Sequence, residues 1–189
     1  MLAGGTRTHD TILIPRPSKG KHMITIPTLT TDRLILRAFE QRDLDQYAPI
    51  VGDPEVTKHL GDGHALSREE AWRQMAVILG HWMLFGYGLW AVEERATGAL
   101  IGRIGCQQPE GWPGFEIAYT LGRSYWGRGY AREGAAAALA FAREVLGRTS
   151  IISVIRPANA GSIRVAQSLG ATLDGEMEFF GGPALIYRY

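Results

Sequence analysis

The chain has 189 residues, of which 46% are hydrophobic and 21% charged, as in soluble globular proteins. This length favours one well-packed domain with one active site over two domains of ordinary size. The 20 Lys and Arg residues against 19 Asp and Glu residues leave a formal net charge of +1, which argues against binding of nucleic acid through bulk electrostatics. Because Cys106 is the only cysteine, an internal disulfide and a cysteine-based zinc site are excluded.

The N-terminal region predicts neither a membrane anchor nor an exported protein. No apolar run reaches the length of about 20 residues needed to cross a bilayer, and the first residues lack the pattern of a signal peptide. We therefore expect a cytoplasmic protein without membrane contact. Residues 1–22 are polar and contain Gly and Pro, and Met23 precedes the first strand-like pattern. We expect 1–22 to be a poorly ordered or non-native extension and 23–189 to form the single domain.

The first predicted elements are a strand and short helices. Apolar residues on both phases over 33–39 predict a strand that is covered on both faces. Asp43 is the predicted N-cap of a helix that Gly52 closes. Asp53 and Pro54 predict a further helical turn, because proline suits the first helical position.

A longer amphipathic helix follows, and it ends near Gly86. Ser67 with Glu70 forms a capping box at its start. Apolar residues then recur at helical spacing, at Trp72, Met75, Ala76, Ile78, Leu79, Trp82 and Met83. This stripe of Met and Trp predicts a face packed into the core.

From Gly88 onward the apolar pattern has a period of two. It predicts an antiparallel meander of three strands, over 89–93, 100–106 and 115–121. A glycine loop and a helix through about Leu146 come next, followed by an apolar strand over 151–155. Asn159 leads into the last helix, and 171–189 predicts a closing hairpin.

This order of elements predicts an α+β fold with a mixed, mostly antiparallel central sheet of about seven strands and helices on both faces. The chain between the fourth and fifth strands forms a βαβ crossover. A dinucleotide-binding fold has its glycine loop after the first strand, whereas this loop follows the fourth. The G-K-[ST] sequence of a P-loop is absent.

The loop over 125–132 reads Tyr-Trp-Gly-Arg-Gly-Tyr-Ala-Arg and opens an alanine-rich helix. Its glycines, Gly127 and Gly129, let the backbone pass close to a bulky group. Amides at a helix start lack intrahelical partners and lie at the positive end of the helix dipole, so the loop predicts a phosphate site. Arg128 and Arg132 add positive charge. Taken alone, the two glycines are equally compatible with a simple strand-to-helix turn.

Four segments, in this order and spacing, resemble the GCN5-related N-acetyltransferases (GNAT), and within them the RimJ/RimL-like branch of ribosomal-protein N-terminal acetyltransferases. They are Thr-Asp-Arg-Leu-Ile-Leu-Arg over 31–37, Glu-Ile-Ala-Tyr over 116–119, the loop over 125–131, and Asn-x-x-Ser with a later Leu-Gly over 159–170. The resemblance extends from Leu29 to the end. It implies the α/β/α sandwich of that family, acetyl-CoA as cosubstrate, and direct transfer of an acetyl group to a primary amine.

The resemblance also implies how acetyl-CoA is held. The family pattern Q/R-x-x-G-x-G/A, whose amides bind the pyrophosphate, corresponds to 126–131. Gly129 and Ala131 match it, whereas Trp126 stands where Gln or Arg is usual. The strand over 116–121 is implied to separate from that over 151–155 and to expose main chain to the pantetheine. The implied cofactor-binding residues are Tyr119, Thr120, Leu121, Trp126, Gly127, Arg128, Gly129, Tyr130, Ala131, Arg132 and Asn159.

Two residues are candidates for catalysis. Glu116 is the candidate general base, directly or through water, and its apolar neighbours favour a raised pKa; the alternative is a surface carboxylate. Many family members have a tyrosine acid where this chain has Ala166, so that acid is absent. The resemblance implies that Ser162 donates a hydrogen bond to the leaving sulfur instead; the alternative is an ordinary first-turn serine.

Other reactive or aromatic residues receive structural interpretations. Three of the five histidines, His59, His64 and His81, are candidates for a metal site, but they lack metal-ligand spacing and no metal is predicted. Cys106 is expected to be a buried thiol. An aromatic wall for the acceptor or plain core packing would both account for Trp82, Phe85 and Tyr87.

The acceptor and the assembly are left open by the sequence. A protein N-terminus and a small amine both fit as acceptors, and a homodimer is compatible with the pattern. Two rival functions use the same loop: a non-catalytic acyl-CoA-binding module and a nucleotide-binding protein. Release of a thiol from acetyl-CoA that depends on an amine separates the enzyme from both.

Overall fold

A computed structural model describes residues 25–189 of the chain. The expectations for 1–22 and Met23 therefore lie outside the described residues. The strands are β1 (Leu29–Thr30), β2 (Leu34–Arg37), β3 (Leu89–Glu94), β4 (Ala99–Gln107), β5 (Glu116–Leu121), β6 (Ile152–Ile155), β7 (Thr172–Phe179) and β8 (Gly182–Arg188). The helices are α1 (Leu44–Val51), α2 (Pro54–Thr57), α3 (Arg68–Phe85), α4 (Tyr130–Ala140) and α5 (Ala160–Ser168).

All eight strands belong to one sheet, in the order β1-β2-β3-β4-β5-β6-β8-β7. Every neighbouring pair is antiparallel except β5 and β6, which the α4 crossover makes parallel. The expected α+β fold is confirmed. The strand beyond the expected seven is the two-residue β1 at the edge, which is too short for a period of two to reveal.

Helices cover both faces of the sheet. On one face, α1 packs on β4 and against α3; on the other, α4 packs on β4 and β5 and against α5. The approach of α4 depends on Gly134, because a Cβ atom there would lie 2.5 Å from Ile104 Cδ1. The Cys106 thiol is fully buried on this α4 face, as expected for a structural cysteine.

The start and end of α3 match the prediction. Ser67 Oγ accepts from the Glu70 amide at 3.2 Å, Glu70 Oε2 accepts from the Ser67 amide at 2.8 Å, and Gly86 ends the helix with φ of +74°. The apolar stripe is core only in part. Met75 and Trp82 are buried, together with Ile78, whereas Trp72 is 55% and Met83 52% exposed because the sheet covers only one side of α3.

Asp43 is the N-cap residue of α1 and Gly52 follows its end, as predicted, but the Asp43 side chain does not cap the helix. Asp43 lies in a 3₁₀ turn over 41–43, and its side chain makes no cap hydrogen bond to α1. Its carboxylate accepts two hydrogen bonds of 2.8 Å from Arg37 and one of 2.7 Å from the Glu40 amide. The carboxylate therefore binds the guanidinium group of Arg37 in β2 and is not free to accept from the helix amides.

Within residues 25–189 no helix is long and apolar enough to span a membrane.

Candidate active site

Strands β5 and β6 separate beside Glu116. They pair at a single register position, Glu116 with Ile152. Beyond it, the two strands are joined by two hydrogen bonds that involve side chains. The Ser153 hydroxyl donates to the Ile117 carbonyl at 2.6 Å, and the Val154 amide donates to Glu116 Oε1 at 3.0 Å. The separation that the resemblance implied is present, and the later part of β5 has a main-chain edge facing the gap.

Glu116 is 5% exposed, which excludes the alternative of a surface carboxylate. Its Oε2 accepts from Gln107 Nε2 at 2.8 Å and from Trp112 Nε1 at 2.5 Å, while Oε1 accepts from the Val154 amide. Two carboxylate oxygens offer about four acceptor positions. Three donors therefore fix the carboxylate and leave about one position for an amine or a water molecule.

Burial raises the pKa of Glu116 above its usual value. The hydrogen bonds from Gln107, the Val154 amide and Trp112, and the positive charge of Arg103, oppose that effect without cancelling it. A carboxylate that is less acidic than usual is a better proton acceptor. The apolar surroundings that the sequence indicated thus act in the expected direction.

The glycine loop turns from β5 into α4 through two left-handed residues, Gly127 with φ of +71° and Gly129 with φ of +81°. Gly129 is the residue before the helix, and its carbonyl accepts the first intrahelical bond, from the Glu133 amide at 3.1 Å. The amides of 130–132 consequently have no partner in the helix. They supply donors at the positive end of its dipole.

Trp126 has a contact that the sequence does not reveal. Its indole N–H donates to the Leu121 carbonyl at 2.8 Å. The Leu121 carbonyl thus already accepts one hydrogen bond, and the implied contact of the Leu121 main chain with a cofactor stays a prediction. Instead of presenting a polar side chain as Gln or Arg would, Trp126 ties the loop to the end of β5.

A cavity of about 580 Å³ lies between the loop, α4 and α5. All of the predicted cofactor-binding residues except Arg128 line it, together with Ser162: Tyr119, Thr120, Leu121, Trp126, Gly127, Gly129, Tyr130, Ala131, Arg132 and Asn159. The structure thus brings the loop and the Asn-initiated helix, distant in sequence, to one cavity beside the β5 edge.

Arg128 is turned away from this cavity. Its guanidinium lies 5.1 Å from the centre of the Tyr130 ring and 3.8 Å from a Glu94 oxygen. Its carbonyl accepts from Arg33 at 2.9 Å. Arg128 therefore supports the loop from behind in this structure, and its predicted contact with the cofactor stays a prediction.

A second cavity, of about 380 Å³, lies on the α1 and α3 side of β5. Polar residues in its lining include Arg103, Gln107, Glu116, His81 and Arg156. The two cavities share residues at the gap: His59, Leu60, Tyr119, Thr120, Asn159 and Ser162. Two molecules that enter from opposite sides would therefore meet beside Glu116 and Ser162.

The start of α5 combines capping with a position at the gap. Asn159 Oδ1 accepts from the Ser162 amide at 3.1 Å, so Asn159 is the N-cap of α5. The Ser162 carbonyl accepts from the Tyr119 hydroxyl at 2.9 Å, and burial raises the pKa of Tyr119. Within the described chain the Ser162 hydroxyl makes no hydrogen bond. It is available to a ligand where the two cavities join.

The other candidate roles are resolved as structural ones. Trp82 and Tyr87 are buried in the core, and Phe85 is half exposed. None of them lines the cavity of about 380 Å³, so the predicted aromatic wall is wrong. Over residues 25–189 no cluster of three or more metal-ligating side chains exists. Burial raises the pKa of Cys106 to about 12, which makes it a poor nucleophile.

Sequence reasoning missed two residues of the site. Arg103 lies in β4 opposite Thr120, and a lone arginine on a strand gives no signal of its own. His59 lies where the cavities join, and burial lowers its pKa. The sequence does not indicate this position, because the placement of the loop after α2 depends on tertiary packing.

Comparison with known proteins identifies the family. The model of the acetyltransferase (GNAT) domain matches residues 33–172. The chain is 31% identical over 166 residues to the uncharacterised YkkB protein of Bacillus subtilis, covering 85% of this chain and 94% of YkkB. It is 31% identical over 150 residues to the uncharacterised N-acetyltransferase p20 of Bacillus licheniformis, covering 78% and 84% of the two chains. The chain belongs to the GNAT family and is an acetyltransferase.

Solved structures agree with this assignment. The acetyltransferase from Agrobacterium tumefaciens C58 superposes with a TM-score of 0.78 at 32% identity, covering 91% of this chain and 99% of that one. RimL, a ribosomal L7/L12 α-N-protein acetyltransferase solved in complex with coenzyme A, has a TM-score of 0.72 at 19% identity, covering 87% and 96%. The likeness to RimL shows a shared fold.

The residues present fit the acetyl-CoA that this family uses. A left-handed glycine loop and unpaired amides at the start of α4 suit a pyrophosphate, and the β5 edge offers main-chain groups for the amides of the pantetheine. The cavity beside them is large enough for a substantial part of such a molecule.

Proposed function

We propose that this chain is an acetyl-CoA-dependent N-acetyltransferase that acetylates a primary amine, a small amine or a protein N-terminus, by direct transfer. The observation that carries the proposal is the meeting of two cavities at the β5–β6 gap, with Glu116 on the acceptor side and Ser162 at the junction. The sequence motifs over 31–37, 116–119, 125–131 and 159–170 support a RimJ/RimL-like branch. A cytoplasmic location stays a prediction.

The amine must lose a proton before or during its attack on the carbonyl carbon, as the C–N bond forms and the C–S bond breaks. Glu116, fixed by three donors, receives this proton directly or through one water molecule. Ser162, with its hydroxyl at the junction, donates a hydrogen bond to the departing sulfur. Bound acetyl-CoA supplies the activated acetyl group.

Direct transfer is supported by the state of the two candidate nucleophiles in the described chain: no base is hydrogen-bonded to the Ser162 hydroxyl, and the Cys106 thiol is inaccessible. Cys106 is buried on the α4 face with a raised pKa, and its Sγ lies 3.8 Å from the Ala138 carbonyl. The enzyme mixed with acetyl-CoA alone should therefore gain no acetyl group by intact-mass spectrometry. An acetylated protein that transfers its group to an amine would contradict direct transfer.

The test of the function is an assay of thiol release from acetyl-CoA with a panel of small amines and of peptides with free N-termini. We expect thiol release that depends on the amine and becomes much slower in Glu116→Gln. Tight binding of CoA without turnover on any amine would instead favour the non-catalytic acyl-CoA-binding module. Displacement of bound CoA by ATP at similar concentration would favour the nucleotide-binding alternative.

A further inference from the structure

Arg103 lies in the cavity of about 380 Å³ that Glu116 also lines, here called the acceptor-side cavity. Its positive charge opposes the rise in the pKa of Glu116, but the two side chains do not form an ion pair. Arg103 is half-buried in β4, and its Nε is fully buried without a hydrogen-bond partner among the described residues. No carboxylate of residues 25–189 lies within ion-pair distance of it. Burying an unpaired charged group is costly, and such a group is retained where a partner of opposite charge completes it.

The neighbours of Arg103 do not supply that partner. Its cross-strand neighbours in β3 and β5 are Ala91 and Thr120, which are uncharged. From the helices, the Tyr47 hydroxyl lies beside it, but Tyr47 is neutral and donates to Gln74 at 2.5 Å. Burial raises the pKa of Tyr47, so it stays a neutral hydroxyl near Arg103 at physiological pH.

Acidic groups that face this part of the fold are already engaged. Asp43 and Glu93 are both ion-paired with Arg37, at 2.8 and 2.9 Å. Glu116 is the buried carboxylate of the cavity, and three other donors hold it. Asp62 lies on an exposed loop and accepts from the His64 amide.

The second arginine of the cavity has a different role. Arg156 donates to the Gly61, Phe180 and Pro183 carbonyls at 2.6, 3.1 and 3.2 Å. It therefore joins the loop after α2 to the β7–β8 hairpin across the cavity. A cavity of about 380 Å³ lies within the range of volumes that hold small ligands.

Arg103 and Glu116 occupy the same face of the sheet. Arg103 is opposite Thr120 and Gln107 is opposite Glu116, so the two positions are four residues apart along adjacent strands. At about 3.3 Å per residue their Cα atoms are separated by roughly 13 Å along the sheet. Because both side chains line one cavity and the charge of Arg103 acts on Glu116, a small molecule in that cavity can place an amine near Glu116 and an anionic group near Arg103.

We propose that Arg103 binds a carboxylate of the acceptor, and that the acceptor is a small amine bearing a carboxylate, such as a free amino acid. This inference rests on the proposed acetyltransfer to an amine. Arg103 would then determine acceptor specificity, favouring such acids over polyamines, aminoglycosides and protein N-termini.

Matched acceptors test the inference in the wild-type enzyme. Free amino acids are compared with their amides, with the corresponding decarboxylated amines, and with peptides that begin with the same residue. Because the amine of an amide is less basic, a larger fraction is neutral, so intrinsic reactivity favours the amide. We expect kcat/KM for the free acid to exceed that for the amide by about 10- to 100-fold, as for a hydrogen bond to a charged group.

Variants assign the preference to Arg103. Arg103→Gln should lose the preference for the acid while still acetylating the amide, and Arg103→Lys should keep part of it. Arg143→Gln is the matched control, because Arg143 is exposed and lines neither cavity, so this variant removes the same charge from the protein and should keep the ratio of acid to amide. CoA affinity and melting temperature verify that each variant is folded. If Arg103→Gln does not fold, the ratio in the wild type decides alone.

Failure of the inference differs from failure of the proposed function. Acetylation of amides, decarboxylated amines or peptides as efficiently as free acids would overturn the role of Arg103 and leave the acetyltransferase intact. If no amine is acetylated, the proposed function fails. Calorimetric titration of the CoA-saturated protein with free amino acids then decides: saturable binding that Arg103→Gln abolishes supports the carboxylate site, and no binding overturns it.

Discussion

Glu116 and Val154 are joined across the gap between β5 and β6 by a hydrogen bond of 3.0 Å from the Val154 amide to Glu116 Oε1. A carboxylate here takes the place of the main-chain acceptor that a continued parallel ladder would provide. The candidate base and the opening of the sheet are therefore one feature. A side chain that holds the strands apart is also the side chain that faces the acceptor.

We expect Glu116→Gln to lower kcat/KM for the acceptor by about 10²- to 10⁴-fold, the usual contribution of general base catalysis. Glutamine keeps an oxygen for the Val154 amide, but it does not accept a proton. The acidic limb of the pH–rate profile that belongs to Glu116 should vanish, and the limb set by the amine itself should stay. Steady-state kinetics over a pH series measures both.

The control for this variant is the affinity for CoA. Glu116 lines the acceptor-side cavity and not the cavity of the glycine loop, so Glu116→Gln should bind CoA as the wild type does. An acidic limb that persists unchanged would assign it to another group and remove Glu116 from the mechanism.

The raised pKa of Glu116 also predicts how stability changes with pH. An acid whose pKa is higher in the folded than in the unfolded state binds protons more tightly when folded, so its stabilising contribution is present below the unfolded pKa. It is lost as pH rises through the folded pKa. The free energy of unfolding of the wild type relative to Glu116→Gln should therefore decrease from acidic to neutral pH.

Urea unfolding of both proteins at a series of pH values measures this difference. Because the two chains differ at one titrating side chain, the other carboxylates cancel in the comparison. A difference that grows in favour of the wild type with rising pH would mean that the pKa of Glu116 is lowered on folding.

Trp126 predicts a separate effect on the cofactor side. Trp126→Phe removes the indole donor to the Leu121 carbonyl and keeps an aromatic ring. The loss of one hydrogen bond of about 0.5–1.5 kcal/mol should loosen the loop and weaken acetyl-CoA binding by about 2- to 10-fold, with kcat for saturating substrates nearly unchanged.

Trp126→Gln is the informative partner of that variant. It introduces the amide side chain usual at this position in the family to which the loop is similar, so CoA titration should give an affinity close to that of the wild type. Equal affinities for all three proteins would mean that the contact between Trp126 and Leu121 does not position the loop.

The features that sequence predicted correctly are those set by near neighbours in the chain. The capping box of Ser67 and Glu70 lies within one helical turn, and the glycine loop is defined by its own backbone requirements. Asn159 caps α5 for the same reason. A local pattern is sufficient wherever the partners are three or four residues apart.

The features that sequence missed depend on distant partners. Asp is a residue type that usually caps a helix, but the Asp43 carboxylate accepts from Arg37 of β2 instead of from the helix amides. The partners of Glu116 include Gln107, which needs the register of β4 on β5, and Val154, which needs the crossover. Likewise, the lack of an ion-pair partner for Arg103 becomes visible only when the side chains around it are placed.

Glu133 holds the segment that supports the glycine loop from behind. Glu133, in the first turn of α4, accepts from the Thr31 hydroxyl at 2.6 Å and from the Arg33 amide and Nε at 2.8 and 2.6 Å. Arg33 in turn donates to the Arg128 carbonyl at 2.9 Å. The segment before β2 is thereby fastened to the start of the helix that presents the loop amides.

Glu133→Ala should destabilise the fold by about 1–3 kcal/mol, since it leaves the Arg33 and Thr31 donors without their acceptor. It should also raise KM for acetyl-CoA, because Arg33 no longer holds the loop carbonyl. Glu144→Ala is the matched control: Glu144 is exposed in the turn that continues α4 and makes no hydrogen bond in the described chain. Urea unfolding and acetyl-CoA titration compare the two, and equal effects would show that Glu133 does not anchor the loop.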